Sequence, residues 1–178
     1  MAALSRRLRI LLASRRLFGN WLSAGARYYL VRSGVLRGGV RVECCGREYV
    51  LSPRVYSQIL NAYYDGALEG LECREALYAY FTYGGRRLLF YDSFELLRDI
   101  VFEVFKGGAY DDLNVRGRTV VDVGAGLGDT AILFALRGAG RVVALEPFPS
   151  MYRRALVNVR LNGVADRVVL VNAAFRLL

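Results

Sequence analysis

The sequence predicts an α/β fold: a partial, Rossmann-like parallel sheet near the C-terminus, preceded by an N-terminal α+β extension. Three observations lead there. Runs of β-branched apolar residues at 119–123, 141–146 and 167–171 alternate with helix-forming runs, the βαβαβ order that implies parallel strands with right-handed crossovers. A glycine-rich turn stands between the first run and its helix. With 54% hydrophobic residues, the chain can bury a sizeable core, which excludes global disorder. A length of 178 residues fits one domain, or one domain with an appendage. The division read from the sequence is a basic amphipathic arm over 1–39, an α+β leader over 40–109, and half of a Rossmann-like domain over 110–178.

In the arm, Leu4, Leu8, Leu11, Leu12, Phe18 and Leu22 recur at helical spacing, so residues 1–32 are expected to be helical. Gly34, Gly38 and Gly39 end that pattern. Two short strands, 40–44 and 48–52, flank Gly46-Arg47 as a hairpin. Residues 53–82 carry Tyr and Leu at mixed spacing and are expected to be helical, with a break near Gly66. Arg87 to Tyr91 reads as a strand. A helix with Ser93 as N-cap is expected to run to Lys106 and stop at Gly107-Gly108. After the first parallel strand, Thr130 to Leu136 forms a helix closed by Gly138 and Gly140. Ser150 to Asn162 forms the next, with Ser150 as N-cap and Gly163 just past its end. The many tyrosines of the middle region, Tyr78, Tyr80 and Tyr83 among them, read as core packing.

Charge is unevenly placed. Residues 1–42 hold nine arginines and no acid, whereas 43–178 hold equal numbers of bases and acids. The net charge of +9 therefore belongs to the arm, and the neutral body argues against nucleic acid as a partner. Three readings of the arm stay open: a helix docked on the body or on a partner, a helix lying on an anionic membrane surface, and an Arg-rich transit peptide. No stretch is long and apolar enough for a membrane span.

Composition also excludes chemistry. The chain has no histidine, which removes Ser-His-Asp and Cys-His pairs and every His-ligated metal site. Cys44, Cys45 and Cys73 show no C-x-x-C or zinc-type spacing. The expectation is therefore no disulfide, no metal site, and ordinary thiols of a reducing cytoplasm.

The glycine turn reads Asp122-Val123-Gly124-Ala125-Gly126-Leu127-Gly128-Asp129. Its glycines permit a tight turn and let backbone approach a ligand, while the following helix presents unpaired N–H groups. The dinucleotide fingerprint requires Gly or Ala where this chain has Asp129. Two nearby carboxylates, Asp122 and Asp129, also disfavour a pyrophosphate. A ligand with a cationic end fits better, and S-adenosylmethionine carries an ammonium, a sulfonium, a ribose and an adenine. Asp122 is placed to attract the ammonium. Glu146, at the end of the next strand and 24 residues further on, is placed to accept both ribose hydroxyls.

On these residues the chain resembles the class I S-adenosylmethionine-dependent methyltransferases, and more narrowly the FkbM family. Val120 to Thr130 resembles the first motif of that family and Val143 to Pro149 its second. Asn158 to Asn162 and Val171 to Ala174 resemble its next helix and third-strand end. Weaker matches stand at Phe18–Trp21, Arg32–Gly34 and Tyr110–Leu113. The resemblance implies a cofactor site made by Asp122, Gly124, Ala125, Gly126, Gly128, Asp129, Thr130, Glu146, Pro147 and Asn172, with Ala173 near the adenine. It implies O-methylation of a hydroxyl on a small molecule or a glycan. Hydroxyl acceptors need a base, and Asp92, Asp111 and Asp112 are the upstream candidates, none of them singled out. A full fold of this class continues beyond the third strand, so the chain reads as its N-terminal half, with the first strand an unpaired edge and with weak cofactor binding and little turnover. Asn158 to Arg167 also resembles tRNA guanine methyltransferases of the same cofactor fold, which keeps an RNA methyltransferase as an alternative. A third reading is an inactive remnant or a bare cofactor-binding module.

Overall fold

The computed structural model describes residues 5–174, and Leu4 of the arm pattern lies outside them. The chain forms two compact units, Met1–Phe81 with Phe94–Arg98, and Thr82–Ser93 with Asp99–Leu178.

The first unit opens with helix α1 (Arg6–Ala13), a 3-10 turn (Ser14–Arg16), and helix α2 (Trp21–Arg32). The continuous helix expected over 1–32 is thus broken at 17–20. The break has a local cause. The Gly19 N–H donates to Glu43 O at 2.8 Å, and the Asn20 side chain accepts from Glu43 N at 2.8 Å and donates to Arg41 O. These bonds tie the inter-helix segment to strand β1 (Val40–Cys44) and leave Phe18 buried against Tyr56. Helix α1 lies against α3 (Pro53–Tyr64), with Arg6 bonded to Asn61 and paired with Asp65 at 3.3 Å. Ser52 caps α3 by accepting from Val55 N, with Pro53 at the first helical position.

Strand β2 (Arg47–Leu51) pairs antiparallel with β1, Cys44 opposite Arg47. The two-residue turn is therefore Cys45-Gly46 and not Gly46-Arg47, one residue earlier than the spacing predicts. Both turn residues have positive φ, 51° and 71°, which suits the right-handed twist of the flanking strands. After α3 the expected helix gives way to strands β3 (Gly70–Cys73) and β4 (Leu77–Tyr83), with Cys73 opposite Leu77. Leu77, Ala79 and Phe81 are buried at strand spacing, a period of two that mixed Tyr and Leu content obscured. Tyr78 is buried as well, in keeping with core packing of the tyrosines.

Cys45 and Cys73 form a disulfide with their Cα atoms 6.0 Å apart, inside the usual range. This overturns the expectation of three ordinary thiols. The spacing rule reads neighbours along the chain, and these sulfurs meet because a hairpin turn and a strand end converge. Cys44 stays free and buried, and burial pushes its thiol up to about 11.

The second unit takes in the last two residues of β4 and then β5 (Arg86–Tyr91). A short helix α4 (Leu97–Asp99) runs on as a π-helical segment (Ile100–Phe105). Ser93 does not cap it: the helix starts four residues later, and the buried Ser93 Oγ has no hydrogen-bond partner. The parallel sheet is β6 (Thr119–Val123), β7 (Arg141–Leu145) and β8 (Val168–Val171) in that order, with helices α5 (Asp129–Leu136) and α6 (Pro149–Leu161) as crossovers. All five residues Ala131–Ala135 are buried, as is Ala144 of β7. Pro149 occupies the first position of α6 and Phe148 precedes it, so Ser150 is inside the helix and not its cap. The expected edge position of β6 holds among the described residues. The register aligns Val121, Val143 and Val169 on one face, and Val123, Leu145 and Val171 beside them; Val121 and Val123 are 62% and 56% exposed.

Two asparagines one turn apart, Asn158 on α6 and Asn162 at its C-cap, hold β5. Asn162 bonds both backbone groups of Leu89, accepting from its N–H at 3.0 Å and donating to its carbonyl at 2.8 Å. Asn158 accepts from Tyr91 N at 2.7 Å and donates to Leu127 O at 2.9 Å, in the glycine turn. Both side chains are buried. Truncation Asn162→Ala strands two partly buried backbone groups, each worth about 1–3 kcal/mol when left unpaired. The expected loss is ~2–6 kcal/mol, read as a lower midpoint in urea unfolding. An unchanged midpoint would show that water replaces the side chain.

Candidate functional site: a glycine loop between two acidic strand ends

The site lies at the carboxyl ends of β6 and β7, where loops of a parallel sheet gather ligands. Parallel pairing sets Asp122 beside Ala144 and Val123 beside Leu145. Leu145 O then accepts from both Gly124 N at 2.9 Å and Ala125 N at 3.0 Å. The next residue takes the next amide: Glu146 Oε2 accepts from Gly126 N at 2.8 Å, and its Oε1 accepts from Phe148 N at 2.8 Å. Three successive loop amides are thus held by two successive residues of β7 and its end. Glu146 is buried, yet each oxygen holds one backbone N–H, the arrangement a buried carboxylate requires.

The three glycines do different things. All have positive φ, 86° at Gly124, 52° at Gly126 and 81° at Gly128. A Cβ at Gly124 would meet nothing within 4 Å, and one at Gly126 only the Asp129 side chain at 4.0 Å. These two leave an open cradle. At Gly128 a Cβ would come 3.2 Å from Ala155 Cβ, so this glycine lets α6 approach the loop. It also precedes α5 directly as its N-cap.

Asp122 accepts from Thr130 Oγ1 at 2.6 Å, which joins the end of β6 to the first turn of α5. Burial raises the Asp122 carboxyl, and the Thr130 hydrogen bond works against that rise. Asp129, in the first turn of α5, is pushed up to about 6, first by burial, with the charge of Asp122 adding to it. Burial raises both carboxyls, and the charge of Asp122 adds to the rise at Asp129, which leaves the loop short of positive charge. Asn172, just past β8, donates to Glu146 O at 2.8 Å and to Pro147 O at 3.2 Å, fixing the strand end that carries Glu146.

The structure therefore brings Asp122, Gly124, Ala125, Gly126, Gly128, Asp129, Thr130, Glu146, Pro147 and Asn172 to one loop cluster. Sequence reasoning missed Asn158, whose amide holds Leu127 O from beneath the loop. Its signal was the resemblance of the segment 158–162 to the family's next helix, which did not mark the side chain as a support of the loop. Among the candidate bases, Asp92 pairs with Arg154 at 2.9 Å and Asp111 pairs with Arg137, while Asp112 is exposed.

The residues present fit S-adenosylmethionine. The cradle over Gly124 and Gly126 is one that side chains would fill, and the acidic pair suits a cation and repels a pyrophosphate.

No protein-family model matches the chain. It is similar to the ribosomal protein L11 methyltransferase of Pelotomaculum thermopropionicum, with 39% identity over 106 residues, covering 49% of this chain and 34% of that protein. It is also similar to the enzyme of the same name from Anoxybacillus flavithermus, with 49% identity over 53 residues, covering 30% of this chain and 17% of that protein. Among solved structures, P. horikoshii TYW2 in complex with MeSAdo aligns at a TM-score of 0.39 and 19% identity, over 71% of this chain and 52% of that one. The chain spans about a third or less of the length of these curated relatives. Both curated relatives are methyltransferases, in line with the class I resemblance of residues 120–174, and the cofactor of that class is S-adenosylmethionine. The second unit carries a glycine loop and acidic strand ends on a Rossmann-like parallel sheet, the features on which the chain resembles class I methyltransferases.

Proposed function

We propose that the second unit binds S-adenosylmethionine and that the chain works as a methyltransferase, or as the cofactor-binding part of one. The Glu146 carboxylate carries the reading. It stands at the end of β7, buried, with one backbone N–H on each oxygen. A carboxylate has about four lone-pair sites, so each oxygen keeps one for a ribose hydroxyl. The bound cofactor supplies an electrophilic methyl group on a sulfonium. The chain supplies the hold: Gly124 and Gly126 make room for the methionine end, and Asp122 and Asp129 attract its ammonium. Pro147 and Asn172 stand on the ribose and adenine side. The work left for the protein is positioning an acceptor in line with the methyl group.

The acceptor is read as a ribosomal protein, because that is what the relatives' names state. Hydroxyl methylation of a small molecule or glycan, with the FkbM resemblance that implies it, has motif similarity alone behind it.

Calorimetry with the intact chain tests the cofactor reading. S-adenosylmethionine and its demethylated product are expected to bind one per chain. Glu146→Gln can satisfy only one of the two backbone N–H groups, because its amide nitrogen donates. It loses a charged hydrogen bond worth about 1.5–3 kcal/mol, so affinity should fall ~10–100-fold. Heat from a pyridine dinucleotide and none from S-adenosylmethionine would overturn the reading.

Asp129 gives a pH test. Its folded-state value of about 6 lies above the unfolded carboxyl near ~4. Its protonated form therefore adds stability that is complete below pH ~4 and is lost as pH rises through about 6. Asp129→Asn should flatten that fall, seen in thermal melts across the interval. A cationic ligand favours the ionised form, so affinity for S-adenosylmethionine should rise between about pH 5 and 7 and rise less in Asp129→Asn. Identical pH profiles would remove Asp129 from the site.

A further inference from the structure

We infer that Cys44, Cys45 and Cys73 of the first unit, once reduced, are the three ligands of a thiophilic d10 metal ion, Zn2+ or Cu+. Their sulfur atoms all lie within 4.8 Å of one another. A tetrahedral ion with bonds of ~2.3 Å needs sulfurs ~3.8 Å apart, so small side-chain rotations suffice. Thiolates select these ions over hard cations, and three sulfurs suit trigonal Cu+, or Zn2+ with water as fourth ligand.

Three elements bring the sulfurs together. Cys44 ends β1 with its side chain in the core, while Cys45 is the exposed first residue of the β1–β2 turn. Cys73 ends β3 and is half-buried. The residue after it is clamped: Arg74 O accepts from both Arg47 Nη1 and Tyr49 Oη at 2.8 Å, which fixes β3 against β2. The cluster thus has one buried wall and one open side, as ion entry requires.

Cys45 is held in place by the hairpin turn. At φ 51° it occupies a left-handed position that Asn, Asp or Gly fills with less strain. The turn aims this sulfur toward the other two.

The arrangement does not suit the alternative use of a thiol beside a disulfide, which is exchange. Displacement at sulfur needs the attacking atom in line with the bond that breaks. Cys44 Sγ lies 2.7 Å from Cys73 Sγ and 3.7 Å from Cys45 Sγ, a difference of 1.0 Å. An in-line attacker would show a difference equal to the bond, ~2.0 Å. Cys44 therefore stands at the side of the disulfide, and the three sulfurs form a triangle.

Oxidation state then sets occupancy. A dithiol reductant gives two electrons and two protons to the Cys45–Cys73 disulfide and closes to a disulfide itself. The three thiols release three protons as one ion forms three metal–sulfur bonds. The oxidised chain, with two sulfurs bonded to each other, has no such set.

The test uses the full chain, reduced with a phosphine, freed of it, and kept without oxygen. Zn2+ is titrated in one arm and Cu+ in the other, each against a chelator that competes for it. One ion per chain is expected in at least one arm, and the loaded chain should protect all three cysteines from alkylation, counted by mass. Loss of a supporting partner alone costs ~10–100-fold in metal affinity, so Cys73→Ser should cost at least ~100-fold, as should the oxidised chain. Cys45→Asn removes a ligand while improving the turn, so it decides the matter if Cys73→Ser fails to fold. Cys45→Asn that binds as tightly as the parent chain, or a reduced parent that wins no ion from either chelator, overturns the inference.

Discussion

The loop at the head of α5 depends on one carboxylate. Glu146 continues a ladder begun by Leu145: the backbone carbonyl of one residue and the side chain of the next hold Gly124, Ala125 and Gly126 by their amides. The loop is therefore shaped by protein contacts alone. A ligand entering such a site pays little to order it, and that preorganisation separates a binding loop from a mere turn. The same carboxylate is buried, so it cannot be left without donors, and the loop amides are those donors.

Behind this loop, two asparagines connect parts of the second unit that are distant in sequence. Asn158 reaches Leu127 inside the loop and Tyr91 on β5, and Asn162 pairs with Leu89 two residues away along the same strand. A one-turn spacing on a helix, matched to a two-residue spacing on a strand, lets side-chain amides stand in for a neighbouring strand. Strand edges carry unpaired amides, and this one is covered by a helix. The close approach of α6 to the loop is what makes Gly128 necessary, since a Cβ there would press on Ala155.

The electrostatics of the site follow from the same packing. Asp122 and Asp129 are near neighbours at the two ends of one loop, both withdrawn from water, and both raised by that withdrawal. Thr130 eases the first by donating to it. Among the described residues no arginine or lysine joins the hydrogen bonds of this loop, and its surplus negative charge suits a cation. That preference is opposite to the phosphate preference of most glycine loops at helix N-termini.

Much of this was legible in the sequence alone. The strands at 119–123, 141–145 and 168–171, the helices between them, and the glycine turn with Asp122, Asp129 and Glu146 follow from local signals: β-branched runs, glycine spacing, and an acid at the ends of the first two strands; Pro147 and Asn172 were placed only by family resemblance. The strand character of 70–73 and 77–83 did not, because Tyr and Leu at mixed spacing look alike in a helix and in a strand until burial shows the period. The break at 17–20 depends on bonds to Glu43 and Arg41, more than twenty residues away, and no helical periodicity encodes it. The caps at Ser93 and Ser150 failed for a related reason: a hydroxyl beside a helix is a cap only if the helix begins there, and packing and Pro149 moved the starts. The three cysteines are the plainest case. Twenty-eight residues of chain separate Cys45 from Cys73, and only the meeting of a hairpin turn with a strand end makes them neighbours. Local sequence signals sufficed for the parallel strands, their crossover helices and the glycine turn, because those choices rest on side-chain shape and backbone freedom within a few residues. The tertiary structure decided which polar groups share a partner, because a buried carboxylate, amide or thiol finds its neighbours through space.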